Sequence, residues 1–98
     1  DRFLFEGFLP HKKGRKKRLD ALKDESRTII FYESPYRVVK ALEQFIEVFG
    51  ASRKCSATRE LTKIYEENVR GTLSEVLLHF QEKAPKGEFV LVVEGLKG

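Results

Sequence analysis

Residues Thr28–Arg37 read T-I-I-F-Y-E-S-P-Y-R. The β-branched and aromatic run Ile29–Tyr32 favours a strand that is buried on both faces. Ser34 suits a helix N-cap, and Pro35 suits the first helical position, where a missing N–H costs nothing. The stretch therefore predicts a strand that leads directly into a helix and places Glu33 and Ser34 at the carboxyl edge of a sheet. Open α/β sheets often bind ligands at such edges, but a well-capped turn would give the same pattern.

The composition predicts one soluble, globular domain of the cytoplasm over residues 1–98. Hydrophobic residues make up 41% of the chain and charged residues 35%, which is enough for a real core. The apolar runs are too short to span a bilayer, and no signal-peptide pattern opens the sequence. The single cysteine, Cys55, excludes an internal disulfide and favours the cytosol. No further metal-ligating residues lie at metal-site spacing from Cys55, His11 or His79 in the sequence, so we expect no metal.

A basic cluster follows the first predicted strand. The chain has a net charge of +4, and six of the seven residues from 12 to 18 are basic. Like charges repel one another, and cations at the amino end of a helix oppose its dipole. A solvated helix start and a contact with a polyanion such as phosphate both remain open. The cluster consists of Lys12, Lys13, Arg15, Lys16, Lys17 and Arg18.

Hydrophobic periodicity predicts the other elements of the chain. The longest helix carries a wide apolar stripe, and the last strand is a continuous apolar run that indicates cover on both faces. Thr72 and Glu75 form the T-x-x-E pattern of a capping box. The predicted elements are a strand at Phe3–Leu9, a helix at Lys16–Ser26, the strand at Ile29–Tyr32, a helix at Pro35–Phe49, a strand at Arg53–Thr58, a loop at Arg59–Lys63, a strand at Tyr65–Arg70, a helix after Thr72, and a strand at Phe89–Val93.

This order predicts an α/β fold with a five-stranded mixed sheet and about three covering helices. The first two strand–helix–strand units imply parallel strands, and the Arg59–Lys63 loop implies one antiparallel pair. No P-loop, G-x-G-x-x-G, nucleophile elbow or H-E-x-x-H pattern is present, so these residues alone name no reaction.

Five motifs in order resemble the carboxy-terminal domain of the ribosomal RNA small-subunit methyltransferase I family, within the tetrapyrrole methylase superfamily. They cover nearly the whole chain, and their succession is more specific than any one of them. The motifs are G-F-L-P (Gly7–Pro10) before the basic cluster, F-Y-E-S-P-Y-R (Phe31–Arg37), R-E-L-T-K (Arg59–Lys63), E-E-N-V-R-G (Glu66–Gly71) and G-E-F-V-L-V-V-E-G (Gly87–Gly95).

The resemblance implies an enzyme that uses S-adenosylmethionine to methylate the ribose 2′-hydroxyl of a cytidine in 16S ribosomal RNA. It also implies two α/β domains with the cofactor in the cleft between them, usually in a homodimer. This chain has no counterpart to the Gly-rich first domain, so the resemblance implies that residues 1–98 are the second domain. Its partner would be 16S ribosomal RNA or the small ribosomal subunit.

The resemblance also implies site residues. Glu33 is a candidate base, although a carboxylate there could equally hold the cofactor ribose. Arg59 and Lys63 could bind RNA together with the basic cluster, or form salt bridges with Glu60, Glu66 and Glu67. The implied cofactor contacts are Tyr32, Glu33, Ser34, Glu60, Leu61, Thr62, Glu94 and Gly95.

Tyr36 departs from the family, which usually has histidine at this position. A packing or hydrogen-bonding role fits the change better than proton transfer, since tyrosine has an unperturbed pKa near 10. Three other classes compete with the enzyme: a tetrapyrrole methylase, a stand-alone RNA-binding module and a small-molecule regulatory domain. The first does not explain the basic cluster, the second lacks stacked aromatic residues on its predicted strands, and the third does not explain R-E-L-T-K.

Overall fold

The structure is a computed structural model that describes residues 3–62 and 64–97, with only the backbone described for Glu60, Leu61, Thr62 and Tyr65. In chain order its elements are β1 (Phe3–Phe8), α1 (Arg15–Ala21), β2 (Thr28–Glu33), α2 (Val38–Phe49), β3 (Lys54–Thr62), β4 (Tyr65–Thr72), α3 (Leu73–Glu82) and β5 (Phe89–Val93). The strands form one sheet in the order β1-β2-β5-β3-β4.

The strand directions make this a mixed sheet. β1 and β2 are parallel, as expected for strands that a helix connects. β5 lies between β2 and β3 and is antiparallel to both, so β2 and β3 run in the same direction. β3 and β4 form an antiparallel hairpin. The predicted five-stranded mixed sheet with three helices is confirmed, and both apolar runs are interior strands as predicted.

One face of the sheet packs against the helices and forms the core. β2 contributes Ile29 and Phe31, and the Phe31 ring lies 4.6 Å from that of Phe45 in α2, centroid to centroid. The apolar stripe of α2 is confirmed, because Val38, Ala41, Leu42, Phe45 and Phe49 are buried. α1 and α3 complete the core with Leu19, Leu73, Val76 and Phe80.

The opposite face of the sheet is open in the described part of the chain. Tyr32 of β2 is 38% exposed, and Phe5 of β1 is 60% exposed. Ile30, Val90 and Val92 on the same face are partly exposed. The prediction that β2 and β5 are covered on both faces is therefore wrong for this chain. A continuous apolar run shows that both faces avoid water, but it does not show that the same 98 residues cover them.

The start of α2 also differs from the prediction. Ser34, Pro35 and Tyr36 form a turn in which the Ser34 carbonyl accepts the Arg37 N–H at 3.0 Å, and the helix begins at Val38. Arg37 is the N-cap residue, and no side chain caps this helix. The predicted cap at Ser34 is wrong, because its hydroxyl instead lies 3.4 Å from Nη1 of Arg37 and accepts from it.

The end of β3, the end of α1 and the capping box of α3 also test the sequence predictions. The predicted Arg59–Lys63 loop is wrong through Thr62, because β3 continues there and Arg59 pairs with Glu67 across the hairpin. α1 ends at Ala21 rather than Ser26, because tighter turns follow it. The capping box is confirmed: Thr72 Oγ1 accepts the Glu75 N–H at 3.2 Å, and Glu75 Oε1 accepts the Thr72 N–H at 2.8 Å.

Candidate functional site

The candidate site lies at the edge where β1 and β2 end. The two strands are parallel, and Phe8 pairs with Tyr32 at this edge. β3 runs in the same direction, so the backbone of Glu60–Thr62 reaches the same edge, about 10 Å from β2 because β5 lies between them. The structure thus brings two of the three predicted cofactor segments, Tyr32–Ser34 and Glu60–Thr62, to one edge.

Glu33 lies in a buried ion pair. Its side chain is on the helix-covered face, and the residue is only 5% exposed. Glu33 Oε2 accepts from Nη2 of Arg15 at 3.4 Å, and Oε1 accepts the Ser34 N–H at 3.1 Å. Both carboxylate oxygens are therefore engaged within the chain. This arrangement favours a structural role for Glu33 over that of an open base.

Arg15 joins three parts of the edge. Its Nε donates to Oε1 of Gln44 in α2 at 2.7 Å, and its Nη1 donates to the carbonyl of Pro10 after β1 at 3.1 Å. Together with the contact to Glu33, these bonds tie the loop after β1 to the end of β2 and to α2. Arg15 is itself only 7% exposed. Sequence reasoning placed it among RNA-binding residues, but the structure uses its guanidinium internally.

Tyr32 is the aromatic centre of this edge on the open face. Its ring contacts Phe5 and Phe8 edge to face, with centroid distances of 5.2 and 5.3 Å. These contacts are edge to face, so the prediction that the strands lack stacked aromatic residues is not contradicted, although three exposed rings are grouped here. Phe5 and Phe8 come from β1 and Tyr32 from β2, and only the pairing of these strands brings them together. The three rings form an apolar wall beside the strand ends.

Glu94 and Gly95 lie at the opposite edge. β5 is antiparallel to β2 and its last residue, Val93, pairs with Ile29, so the residues after it are about 13 Å from the Glu33 end. Two open grooves of about 480 and 490 Å³ adjoin Glu94 there. A Cβ at Gly95 would collide with the Ser26 carbonyl, so close backbone packing explains this glycine without a ligand. The structure does not bring Glu94 and Gly95 together with Tyr32.

The basic residues divide into paired and unpaired cations. Arg18 binds Glu6 through two hydrogen bonds, which raise its pKa, and Lys16 pairs with Asp20 at 3.5 Å. Arg59 donates to Glu67 at 2.7 Å, which lowers the pKa of that carboxyl, so the salt-bridge alternative holds for this pair. Among the described residues, the cluster's Lys12, Lys13 and Lys17 are exposed without an ionic partner. Lys63 lies outside the described residues.

A small cationic cleft at the same edge escaped the sequence analysis. It measures about 190 Å³ and is lined by His11, Lys12, Arg15, Arg37, Lys40 and Gln44. Sequence reasoning used Lys12 and Arg15 but missed His11, Arg37 and Lys40. The spacing of Arg37, Lys40 and Gln44, at i, i+3 and i+7 on one helix face, is a signal that could have found them. Tyr36 beside them is 95% exposed, so it does not pack within this chain, and the alternative hydrogen-bonding role stays a prediction.

Neither a metal-binding cluster nor a membrane-spanning helix is found in the described ranges 3–62 and 64–97. No group of three metal-ligating side chains is found there. No helix in this part of the chain is long and apolar enough to cross a membrane.

Comparison with known proteins identifies sequence relatives over nearly the whole chain. It is 52% identical over 94 residues to "Ribosomal RNA small subunit methyltransferase I" of Bacillus subtilis, a match that covers 95% of the chain and 32% of that protein. Proteins of the same name are 44% identical in Thermotoga maritima, with 96% of the chain and 42% of the protein covered, and 47% identical in Escherichia coli O157:H7, with 99% and 35% covered. The chain thus spans less than half the length of these relatives. No family model matches the sequence.

Two solved structures share the fold. A cobalt precorrin-4 methyltransferase of cobalamin biosynthesis aligns with a TM-score of 0.68 and 14% identity over 93% of the chain and 40% of that enzyme. The methyltransferase CobJ aligns with a TM-score of 0.68 and 17% identity over 97% of the chain and 41% of that protein. At these identities the likeness shows the fold alone, which is the predicted tetrapyrrole methylase fold.

Proposed function

Because the chain is related over nearly its whole length to the ribosomal RNA small subunit methyltransferase I family, as its motifs predicted, we propose that it is the carboxy-terminal domain of an S-adenosylmethionine-dependent methyltransferase. The proposed reaction methylates the ribose 2′-hydroxyl of a cytidine in 16S ribosomal RNA. The observation that carries the proposal is the identity of 44 to 52% with the named relatives. A tetrapyrrole substrate is supported only by the shared fold.

The proposed enzyme has a further, amino-terminal domain and acts as a cytoplasmic homodimer on the small ribosomal subunit. The length of the relatives supports a further domain, since the chain matches only 32 to 42% of them. The open sheet face also supports it, because Phe5 and Tyr32 give additional chain an apolar surface to pack on.

The Tyr32 edge fits part of an S-adenosylmethionine site. Adenine needs apolar and aromatic contact, which the partly exposed Tyr32 ring beside Phe8 offers. The Ser34 backbone and the strand end at Glu60–Thr62 lie along the same edge. We therefore assign the cofactor site to this edge and exclude Glu94 and Gly95 from the site. This chain supplies one wall, and the proposed first domain supplies the other.

When bound, the cofactor would supply a methyl group on a sulfonium, whose S–CH₃ bond breaks as the ribose oxygen forms the new O–CH₃ bond and loses its proton. Positioning accounts for much of such catalysis, and a base assists removal of the proton. Glu33 is a poor base here, because Arg15 and the Ser34 N–H engage its two oxygens. We assign it a positioning role: it anchors Arg15 and thereby the loop at Pro10. The base is then expected from the other domain.

The direct test uses the full-length protein that contains this chain. Purified small ribosomal subunits lacking the modification are incubated with labelled methyl donor, and the RNA nucleosides are then analysed. Label in a 2′-O-methylcytidine supports the proposal, and label on a base or on no nucleoside contradicts it. The isolated 98-residue chain is expected to bind the cofactor very weakly and to transfer no methyl group. Micromolar binding by this chain alone would contradict the cleft model.

A matched pair of variants tests the Tyr32 contact in the full-length protein. Tyr32→Leu should weaken cofactor binding about 3- to 10-fold, because an aromatic contact contributes about 0.5–1.5 kcal/mol beyond its area. Phe3→Leu is the control, since Phe3 is an exposed aromatic residue at the opposite end of β1. Calorimetry measures both variants. Equal affinities for wild type and Tyr32→Leu would remove Tyr32 from the cofactor site.

A further inference from the structure

The cationic cleft combines several positive groups without a carboxylate in its lining. It lies between the loop after β1, which carries His11 and Lys12, and the first turns of α2, which carry Arg37 and Lys40. Arg15 also lines the cleft, but its charge is neutralised by the ion pair with Glu33. Lys12, Arg37 and Lys40 have no ionic partner among the described residues. The cleft therefore concentrates three uncompensated cations in about 190 Å³.

The Arg37 guanidinium is held in place at the cleft. Nη1 donates to Ser34 Oγ at 3.4 Å, and Nη2 lies 3.2 Å from Nδ1 of His11. A guanidinium can only donate, so Nδ1 of His11 must accept this bond. The remaining ring nitrogen, Nε2, then carries the proton and is able to donate. Holding the Arg37 side chain in advance reduces the entropy lost when it binds an anion.

The amino end of α2 adds to the attraction for an anion. No side chain caps this 12-residue helix, and its first turn contains no acidic residue. Backbone N–H groups there have no intrahelical partner, and the dipole favours negative charge. In contrast, the amino end of α3 is satisfied by the carboxylate of Glu75. The cationic cleft therefore adjoins the uncapped helix end, since Arg37 and Lys40 line it.

We propose that this cleft binds the sugar-phosphate backbone of the RNA substrate, with Lys12, Arg37 and Lys40 each contacting a phosphate and His11 as a further donor. The inference rests on the proposed function for the identity of the polyanion. It moves the phosphate contact away from Arg15 and Arg18, which the structure pairs internally. Lys13 and Lys17 of the basic cluster are also exposed, without an ionic partner among the described residues. A series of cations along a surface suits an RNA strand better than a single small anion.

A charge-matched pair of triple variants of the full-length protein tests the cleft. The test variant is Lys12→Gln/Arg37→Gln/Lys40→Gln, and the control is Lys23→Gln/Lys83→Gln/Lys86→Gln, which neutralises three exposed lysines elsewhere. The affinity for a 16S ribosomal RNA fragment is measured over a salt series. Loss of three phosphate contacts should reduce the slope of log affinity against log salt by about 2, and the control should retain the wild-type slope. Equal slopes for the test variant and the wild type would overturn the proposal.

Two further measurements separate the alternatives. Lys12→Gln/Lys40→Gln leaves the bonded Arg37 in place, so it keeps the test open if the triple variant does not fold, and it should reduce the slope by about 1.5. Cofactor affinity is measured on the same proteins and is expected to stay constant. A lower cofactor affinity with an unchanged RNA slope would overturn the proposal and assign the cleft to the cofactor's carboxylate. If the slope depends on the cleft but wild type transfers no methyl group, the phosphate site stands and the proposed reaction fails.

Discussion

The buried pair of Arg15 and Glu33 should dominate the response of this chain to a single substitution. Their charged atoms are 3.4 Å apart, and their side chains are only 8% and 6% exposed. Arg15→Met would leave the Glu33 carboxylate buried without a countercharge, which typically costs about 3–5 kcal/mol. The same change removes the donors to Pro10 and Gln44. A domain of this size has a free energy of unfolding of only about 5–15 kcal/mol, so the loss is a large part of it.

Urea denaturation followed by circular dichroism measures this loss. With a slope of about 2 kcal/mol per molar urea, the midpoint for Arg15→Met should fall by about 2 M. Arg15→Met/Glu33→Leu should recover most of the loss, since replacing a whole buried pair with apolar residues is often neutral. Arg18→Met is the control: its partner is Glu6, but the Arg18 side chain is 44% exposed, so about 1 kcal/mol or less is expected. A loss below about 1 kcal/mol for Arg15→Met, or no recovery in the double variant, would refute the reasoning.

Four other predictions concern single positions. Thr72→Ala should lower the free energy of unfolding by about 1 kcal/mol in thermal denaturation, because the capping box is lost, and an unchanged midpoint would contradict the box. Its partner Glu75 has a pKa below the usual 4.5, because its carboxylate accepts the Thr72 N–H. The stability that Glu75 adds is therefore present above pH 4.5 and declines as the pH falls through the lowered pKa. Glu75→Gln should flatten this decline, and a variant whose stability falls with pH in parallel with the wild type would contradict the role of Glu75. Gly95→Ala should destabilise by about 3 kcal/mol, since its Cβ has no room beside Ser26, and wild-type stability would mean that the tail repacks. Burial raises the pKa of the Cys55 thiol to about 12, so a thiol reagent at neutral pH should label it only after unfolding; fast labelling of the native chain would contradict its burial.

Local sequence patterns predicted the features that depend on neighbouring residues. The period of the apolar stripe identified α2, and the spacing of Thr72 and Glu75 identified the capping box. Each depends on residues within a few turns of one another, so the sequence contains the necessary information. The predicted N-cap at Ser34 failed because the hydroxyl had an alternative partner, the Arg37 side chain, in the same turn.

Pairing across the sheet decided the features that local patterns missed. Arg59–Thr62 has a poor strand pattern, yet it is extended because it pairs with residues 65–67 across the hairpin. The aromatic group at Tyr32 depends on β1 and β2 lying side by side, although its members are up to 27 positions apart. The antiparallel insertion of β5 likewise separates Glu94 from the Tyr32 edge. Strand order is set by the packing of the whole core, which no single segment encodes.

The distribution of charge shows the same division. The sequence by itself determined that residues 12–18 are strongly basic and that they follow a strand end. Only the tertiary structure decided which cations are neutralised, because Glu6 and Glu33 come from strands and meet Arg18 and Arg15 through packing. It also placed Arg37 and Lys40 beside Lys12 to form a cleft. The physical reason is that charge is a property of each residue, whereas its compensation depends on distances that the folded chain alone sets.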